Sequence, residues 1–330
     1  MNDAAVDDGG TAARLAGDGS SQVLAIDVGG TKLAVGIVDA HGAVVRHDRV
    51  PTPAGDGEAV WTALVELADR VREGSRVDGC GVGCGGPMRW PAGEVSPLSI
   101  PGWRGFPLRE RLAAHLGCEV RLHNDAVCLA IAEHWRGAAQ GHDDALGMVV
   151  STGVGGGLIL GGRLVDGATG NAGHVGHVVV EPDGPACSCG GRGCLEAVAS
   201  GPRLAGWARE HGWGGTTAVD LARDARAGDV TARAAFRRAG HALGVGIASV
   251  AAVCDLSMVV VGGGVMASDD LLRDALADAL RTHARLDFLA RLTVAAPALG
   301  GTAGLVGAAA LILSGDRYWS APGREGRLSH

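Results

Sequence analysis

The chain has 330 residues, which is enough for two lobes with sizeable cores, and its 47% hydrophobic content indicates a folded protein. The formal net charge is -7 and the basic residues are scattered, so electrostatics gives no support for a nucleic-acid partner. No apolar run is long enough to cross a membrane, and the N-terminus lacks the basic start of a signal peptide. Together with eight cysteines that suit a reducing compartment, these features predict a cytoplasmic protein.

The two ends of the chain are polar. Residues 1–20 predict a disordered tail, and residues 316–330 predict a flexible one. We therefore expect the folded part to lie between them.

A glycine-rich turn joins two short apolar runs, Val23 to Ile26 and Leu33 to Val38, near the start of the chain. This pattern predicts a β-hairpin with Asp27 at the end of its first strand. Gly29 and Gly30 would let main-chain N–H groups approach phosphate oxygens, and Asp27 could hold Mg²⁺ through water. The same turn adds a hydroxyl and a positive charge, from Thr31 and Lys32. An ordinary hairpin turn is the alternative.

The next elements lead to an Asn-Asp pair. Apolar spacing predicts a helix over Glu58 to Arg72, and Val77 to Val82 predicts a strand that enters a Gly-Pro loop containing Gly86. A helix over Leu108 to Leu116 and a strand over Val120 to Leu122 follow.

Asn124 and Asp125 then stand between that strand and a helix predicted over Ala126 to Trp135. Strand ends of this kind are where active sites of α/β folds gather. The alternative for the pair is a helix cap.

A second hairpin repeats the pattern of the first, a strand followed by a glycine-rich turn and another strand. Ala145 to Val150 predicts a strand, and the glycine-rich turn that follows includes Thr152, Gly153 and Gly155. Two such hairpins in one chain are a stronger indication of phosphate binding than either alone.

The stretch Asn171 to Glu196 holds three cysteines and a histidine close together. We take His177, Cys187, Cys189 and Cys194 as zinc ligands, because three thiolates and an imidazole satisfy a closed tetrahedral site. Reduced core cysteines or a disulfide are the alternatives.

The part of the chain after the cysteine stretch is predicted to be mainly helical. Helices are expected at Ala218 to Ala227, Val230 to Val253, Leu271 to Arg281 and Ala303 to Leu313, and strands at Leu256 to Val261 and Leu292 to Ala295. A turn containing Gly263 and Gly264 follows the first of these strands.

The motif GHxxVxxxGxxCxCGxxGCLE, which ends at Glu196, resembles the signature of the ROK family (repressors, open reading frames and sugar kinases). The D-x-G-G-T sequence at Asp27 resembles the first phosphate motif of the hexokinase–actin ATPase superfamily. The resemblance covers Val23 to Leu313 and implies an α/β fold, the two-lobed actin-like ATPase (ribonuclease H-like) fold with a structural zinc. It implies a small lobe over residues 21–122, a large lobe over 123–300 and a C-terminal helix over 301–315 that returns to the small lobe.

The resemblance also implies roles for residues of an ATP-dependent sugar kinase that uses Mg²⁺. Asp125 matches the catalytic base. Residues that match sugar-binding positions are Asn124, Glu196, His177 and the Gly86 loop. The two glycine turns would hold the ATP phosphates, and Gly263 and Gly264 would lie near the adenosine.

Two residues depart from the family pattern. Ser99 stands where an Asn commonly bonds sugar hydroxyls, and His174 replaces a Glu that accepts them. Glucose is the default substrate, phosphorylated at O6. An aminoglucose such as kanosamine or a C7-cyclitol is the alternative.

A sugar-responsive ROK regulator is the rival from another class. Such regulators carry a helix-turn-helix domain before the first phosphate motif, whereas about twenty polar residues precede it here. We expect an enzyme, active as a homodimer, that binds no nucleic acid.

Overall fold

The computed structural model describes residues 21–90 and 92–320, so the predicted N-terminal tail and residues 321–330 lie outside the described part of the chain. The strands in chain order are β1 (Gln22–Val28), β2 (Lys32–Asp39), β3 (Val44–Pro51), β4 (Cys80–Cys84), β5 (Met88–Arg89), β6 (Glu94–Val95), β7 (Val120–Asn124), β8 (Ala145–Val150), β9 (Val154–Leu160), β10 (Arg163–Leu164), β11 (Met258–Gly262) and β12 (Thr293–Ala295).

The α-helices are α1 (Gly57–Arg72), α2 (Leu108–Leu116), α3 (Asp125–Arg136), α4 (Leu195–Ala199), α5 (Gly201–Glu210), α6 (Ala218–Ala227), α7 (Val230–Cys254), α8 (Asp269–His283), α9 (Ala303–Leu313) and α10 (Gly315–Tyr318). Among the described residues, no helix is both long and apolar enough to cross a membrane.

Two five-stranded sheets form the framework. The first has the order β3-β2-β1-β4-β7, and the second has the order β10-β9-β8-β11-β12. In each sheet an antiparallel hairpin, β1-β2 or β8-β9, lies beside strands that run parallel to its first member. Both glycine-rich hairpins predicted from the sequence are therefore present, one in each sheet.

Helices α3 and α9 pack against each other between the two sheets, α3 beside β8 and β9, and α9 beside β1 and β4. Two glycines permit this close packing. Gly81 on β4 has no room for a Cβ against the Ala308 carbonyl, and Gly307 on α9 has none against the Cys128 carbonyl. A large apolar cluster lies here, around Ile131, Val306 and their neighbours.

The predicted amphipathic pattern of α1 matches its burial, since Val60, Leu64, Leu67 and Val71 all face the core. Asp56 caps the helix by accepting a hydrogen bond from the Glu58 amide. The strand predicted at Val77 instead begins at Cys80, because its register with β1 starts at the pair Leu24 and Cys80. Strand β3 was not predicted. It lies at the edge of the sheet, and most of its side chains are exposed or half-buried.

The C-terminal tail was predicted to begin at residue 316, and this start is wrong. Residues 315–318 form α10, and Tyr318 is fully buried. The Tyr318 hydroxyl donates a 2.7 Å hydrogen bond to His134 Nδ1, because His134 Nε2 donates to the His142 carbonyl. A single aromatic residue so close to a chain end gives little periodicity from which its burial could be predicted.

Candidate active site

Asp125 lies where β7 ends and α3 begins, at the edge of the first sheet. Its Oδ1 accepts a 2.8 Å hydrogen bond from the Ala126 amide, and Asn124 Oδ1 accepts from the same amide at 3.0 Å. The pair therefore does cap the helix, as the alternative interpretation held. The cap leaves Asp125 Oδ2 directed toward Gly85, where a Cβ would lie 3.9 Å away. Capping and a chemical role are thus compatible.

Asp27 lies near Asp125 on the same sheet. Strand β1 pairs with β4, and β4 pairs with β7, so that Asp27, Gly83 and His123 are in register. Asp27 also faces the first turn of α9, where a Cβ on Gly304 would lie 2.7 Å from Asp27 Oδ2. A glycine at residue 304 therefore leaves space for this carboxylate at the positive end of a helix.

The two carboxylates have raised pKa values. Loss of hydration is the main cause for Asp125, because protein atoms surround its carboxylate even though other atoms of the residue are accessible to solvent. The pKa of Asp27 rises to about 6, mainly through loss of hydration and then through the neighbouring charge of Asp125, while Lys32 lowers it. A divalent cation would stabilise two neighbouring carboxylates that repel each other in this way.

The first glycine turn is exposed at Gly30, Thr31 and Lys32. Gly29 donates its amide to the Lys32 carbonyl at 3.0 Å, so this N–H closes the turn. The Gly29 amide, one of the predicted phosphate-binding groups, is therefore already used in a hydrogen bond within the turn. Ser99 packs on Gly30 and leaves no room there for a Cβ. The structure thus brings the predicted sugar loop against the predicted phosphate turn.

The second glycine turn lies beside Glu196. Glu196 Oε2 accepts a 2.9 Å hydrogen bond from the Val154 amide, and a Cβ on Gly153 would lie 2.8 Å from the same oxygen. Thr152 is exposed, and Gly155 is part of β9, paired with Val149. Glu196 lies two residues after Cys194, so its hydrogen bond to Val154 brings the predicted metal loop and the second turn into contact.

Among the predicted sugar-binding residues, Gly86 and Asn124 are neighbours, since a Cβ on Gly86 would lie 3.4 Å from Asn124 Nδ2. His174 is exposed, and its Nδ1 lies 2.8 Å from the Asn171 carbonyl. A carbonyl accepts only, so Nδ1 carries the proton and the neutral ring keeps Nε2 as an acceptor. The His174 and His177 rings lie nearly parallel, with centroids 6.4 Å apart.

The four predicted metal ligands converge. One ligand atom each from His177, Cys187, Cys189 and Cys194 lies within 4.8 Å of all the others. The Cys189 and Cys194 sulfurs are 3.8 Å apart, which is too long for a disulfide of about 2.0 Å. Two thiolates on one zinc, each at about 2.3 Å, would be separated by about 3.8 Å.

The donor set of this cluster fits a divalent metal. Burial and the neighbouring thiols raise the pKa of Cys194 to about 12, whereas a hydrogen bond from the Gly191 amide lowers the pKa of Cys189, and a cation would favour the thiolate form of both. His177 Nδ1 faces Cys187 Sγ at 3.8 Å, which leaves its Nε2 for another partner. All eight cysteines are free thiols.

The third glycine turn borders a cavity. Gly263 and Gly264 are exposed after β11, and a cavity of about 620 Å³ opens beside them. Its walls come from β11, α8, β12 and the segments that follow the two strands, and they include Met266, Leu276 and Pro297. The cavity is predominantly apolar, as a site for a flat aromatic base requires.

Two further residues near Asp125 were not assigned from the sequence. His123 is buried directly before Asn124, and its Nε2 lies 3.1 Å from Asp166 Oδ1. His123 could have been selected from the sequence, because it stands at a predicted strand end directly before the Asn-Asp pair. Asp166 carries no comparable local pattern.

The chain was compared with known proteins and structures. A family model described as the ROK family matches residues 23–314. A glucokinase of Thermotoga maritima is 33% identical over 308 residues, which are 88% of this chain and 97% of that protein.

Two solved structures are also similar. A ROK hexokinase from Thermus thermophilus has 38% sequence identity and a TM-score of 0.78, with 87% of this chain and 96% of that chain covered. A ROK family glucokinase from Streptomyces griseus, solved with glucose and AMPPNP, has 34% identity and a TM-score of 0.75, with 88% and 99% covered. Because the family model spans nearly all of the described residues and these relatives align over nearly their full lengths, this chain belongs to the ROK family.

Proposed function

We propose that this chain transfers the γ-phosphoryl group of ATP to the primary hydroxyl of a hexose, with glucose as the default substrate. The observation that carries this proposal is the position of Asp125, an accessible carboxylate with a raised pKa at the end of β7 and close to Asp27. A carboxylate with these properties is suited to accept a proton from a hydroxyl. The glucokinase and hexokinase relatives support the same reaction class.

In this mechanism Asp125 accepts the proton of O6 as the hydroxyl attacks the γ-phosphorus. Asn124 and Glu196 hold the sugar together with His177, His174 and the Gly86 loop. Phosphoryl transfer depends chiefly on position and on neutralising charge, so these contacts serve to keep O6 in line with the phosphate.

The nucleotide would lie along the three glycine turns. Mg²⁺, held through water by Asp27, would supply positive charge to the phosphates, and Gly30, Thr31 and Lys32 contribute amides, a hydroxyl and a charge. The second turn contributes Thr152, Gly153 and Gly155. The adenine would occupy the cavity beside Gly263 and Gly264.

The metal of the cysteine cluster is proposed to be zinc with a structural role. All four positions would be filled by His177, Cys187, Cys189 and Cys194, which leaves none for a reacting water. Free thiols of this kind suit a reducing compartment such as the cytoplasm.

An aminoglucose or a cyclitol is the second candidate substrate, and His174 is the observation that favours it. Its Nδ1 is committed to the Asn171 carbonyl, so at most one neutral nitrogen remains for a sugar hydroxyl. The glutamate of the family pattern would offer two charged oxygens. A sugar that differs from glucose at the affected hydroxyls would not need the second acceptor.

A coupled assay that measures ADP formation over a panel of hexoses, aminosugars and cyclitols tests this function. We expect kcat/KM to be highest for glucose or for one modified hexose. No ADP formation with any member of the panel would contradict the proposal. Light scattering on the same sample tests the expected homodimer, and a DNA-binding assay tests the regulator alternative.

A further inference from the structure

A buried hydrogen bond joins the end of β7 to the segment that follows β10. His123 stands near the end of β7, and Asp166 follows β10 in the second sheet. His123 Nε2 lies 3.1 Å from Asp166 Oδ1, and the two side chains are only 1% and 10% exposed. Removing two polar side chains from water costs free energy, and the hydrogen bond between them offsets part of that cost.

The protons of this pair can be assigned from its partners. The Asn124 amide lies 2.8 Å from His123 Nδ1, and an amide N–H can only donate. Nδ1 is therefore unprotonated, and the proton of the neutral imidazole sits on Nε2, which donates to the Asp166 carboxylate. Both ring nitrogens are used, so the orientation of the ring is fixed from both sides.

One end of this link reaches the proposed base. β7 is the edge strand of its sheet, paired only with β4 among the described strands, so the imidazole satisfies the Asn124 amide at the edge. The next hydrogen bonds are those by which Asn124 and Asp125 cap α3. A shift of His123 would therefore move the backbone that carries Asp125.

The other end holds the His174 loop, which we define as residues 166–174. The Asp166 carbonyl accepts from the Ala172 amide at 3.0 Å and closes the loop. The Asn171 carbonyl in turn accepts from His174 Nδ1 at 2.8 Å. The conformation of His174 thus depends on the segment that Asp166 anchors.

Trp90, which directly follows β5, supports the same arrangement. It packs on His123, with ring centroids 6.2 Å apart, and on Gly170 of the His174 loop, where no Cβ would fit. Trp90 is 7% exposed and shields the pair from solvent. Strand end, loop and indole therefore form one packed unit.

We propose that Asp166 is a positioning residue whose hydrogen bond to His123 couples the His174 loop to the strand end that carries Asn124 and Asp125. The link sets the distance between the sugar contacts and the base. The effect that we expect on turnover rests on the proposed function. The nucleotide turns lie outside it, so the link acts on the sugar and not on ATP.

The test compares Asp166→Ala with Asp166→Asn. The asparagine keeps an acceptor for the His123 N–H, whereas the alanine leaves that N–H buried and unpaired. We expect Asp166→Ala to lower kcat/KM for the sugar by about tenfold to a hundredfold, through a higher sugar KM and a lower kcat, because displacements of about 1 Å cost this much. The KM for ATP should stay unchanged, and Asp166→Asn should recover most of the loss.

Asp224→Ala is the matched control. Asp224 also accepts a ring N–H, that of Trp213 at 2.9 Å, and the pair belongs to the α5–α6 region, away from Asp125. This variant should lower the melting temperature without changing the sugar KM. If Asp166→Ala does not fold, His123→Gln takes its place, since glutamine can reach Asp166 but releases the Asn124 amide; a lower kcat is expected.

Three results would overturn the proposal. Folded Asp166→Ala or His123→Gln with wild-type sugar KM and kcat would remove the positioning role. An equal loss in folded Asp166→Asn and Asp166→Ala would show that the hydrogen bond is not what matters. A matching rise in the KM for ATP would indicate a general structural defect. Asp125→Asn is assayed alongside, because normal turnover in that variant would refute the proposed base and leave the link to be judged on the sugar KM alone.

Discussion

Glu196 Oε2 accepts a 2.9 Å hydrogen bond from the Val154 amide, at the first residue of β9 after the second glycine turn. Because Glu196 lies only two residues after Cys194, the candidate metal cluster and the turn are closely connected. The contact is close, since a Cβ on Gly153 would lie 2.8 Å from the same carboxylate oxygen. Loss of the metal should therefore affect the site as well as the fold.

Cys187→Ser should remove the metal and destabilise the protein. We expect about one Zn²⁺ per chain in the wild type, because binding by three thiolates and an imidazole contributes directly to folding. Elemental analysis and thermal denaturation measure both effects. Cys254→Ser, outside the cluster, should keep zinc and most stability. Purified wild-type protein that contains no zinc would contradict the assignment.

Asp125→Asn should abolish turnover and leave the fold intact. Asparagine keeps an oxygen for the Ala126 amide but cannot take a proton, so kcat should fall at least about a hundredfold while much of the sugar affinity remains. Steady-state kinetics and a sugar-binding titration test this, with Asp224→Asn as a remote control. Near-normal kcat would rule out Asp125 as the base.

Asp27→Asn should stabilise the metal-free protein at neutral pH. The pKa of Asp27 is about 6 in the fold against 3.8 for a free group, so the folded state binds the proton more tightly. Stability from this group is therefore lost as pH rises from about 4 to about 6. The penalty, at most about 3 kcal/mol, persists above that range.

Urea unfolding at two pH values measures this effect on stability. The variant should exceed the wild type in unfolding free energy at pH 8, and the difference should shrink toward pH 4. Turnover should be lost, because Asn is a poorer partner for Mg²⁺ than a carboxylate. An equal or lower stability of the variant at pH 8 would count against the raised pKa.

His174→Glu should lower the KM for glucose and change kcat less. The glutamate adds charged oxygens to a position that now offers one neutral nitrogen, and one bond to a charged group contributes roughly 1 to 3 kcal/mol. A gain in binding shared by ground state and transition state appears chiefly in KM. If the natural substrate is another sugar, its affinity should fall in the same variant. Unchanged kcat/KM ratios across the sugar panel would place His174 outside the sugar shell.

Local patterns in the sequence were sufficient for most elements of the fold. The apolar face of α1, both glycine hairpins and the helix α9 are where periodicity and turn residues predicted them. The four candidate metal ligands were also selected from the sequence, because three of them lie within eight residues and their type suits zinc, and the structure brings their side chains together. These features depend on neighbours in the chain, so the sequence by itself determined them.

The tertiary structure decided which distant residues meet. His123 and Asp166 are 43 residues apart, Val154 and Glu196 are 42 apart, and His134 and Tyr318 are 184 apart. None of these partners is marked by local spacing, because each contact arises only when two sheets and the helices between them are packed. The same packing places Asp125 near Asp27, and burial of Asp27 together with the neighbouring charge of Asp125 raises the pKa of Asp27.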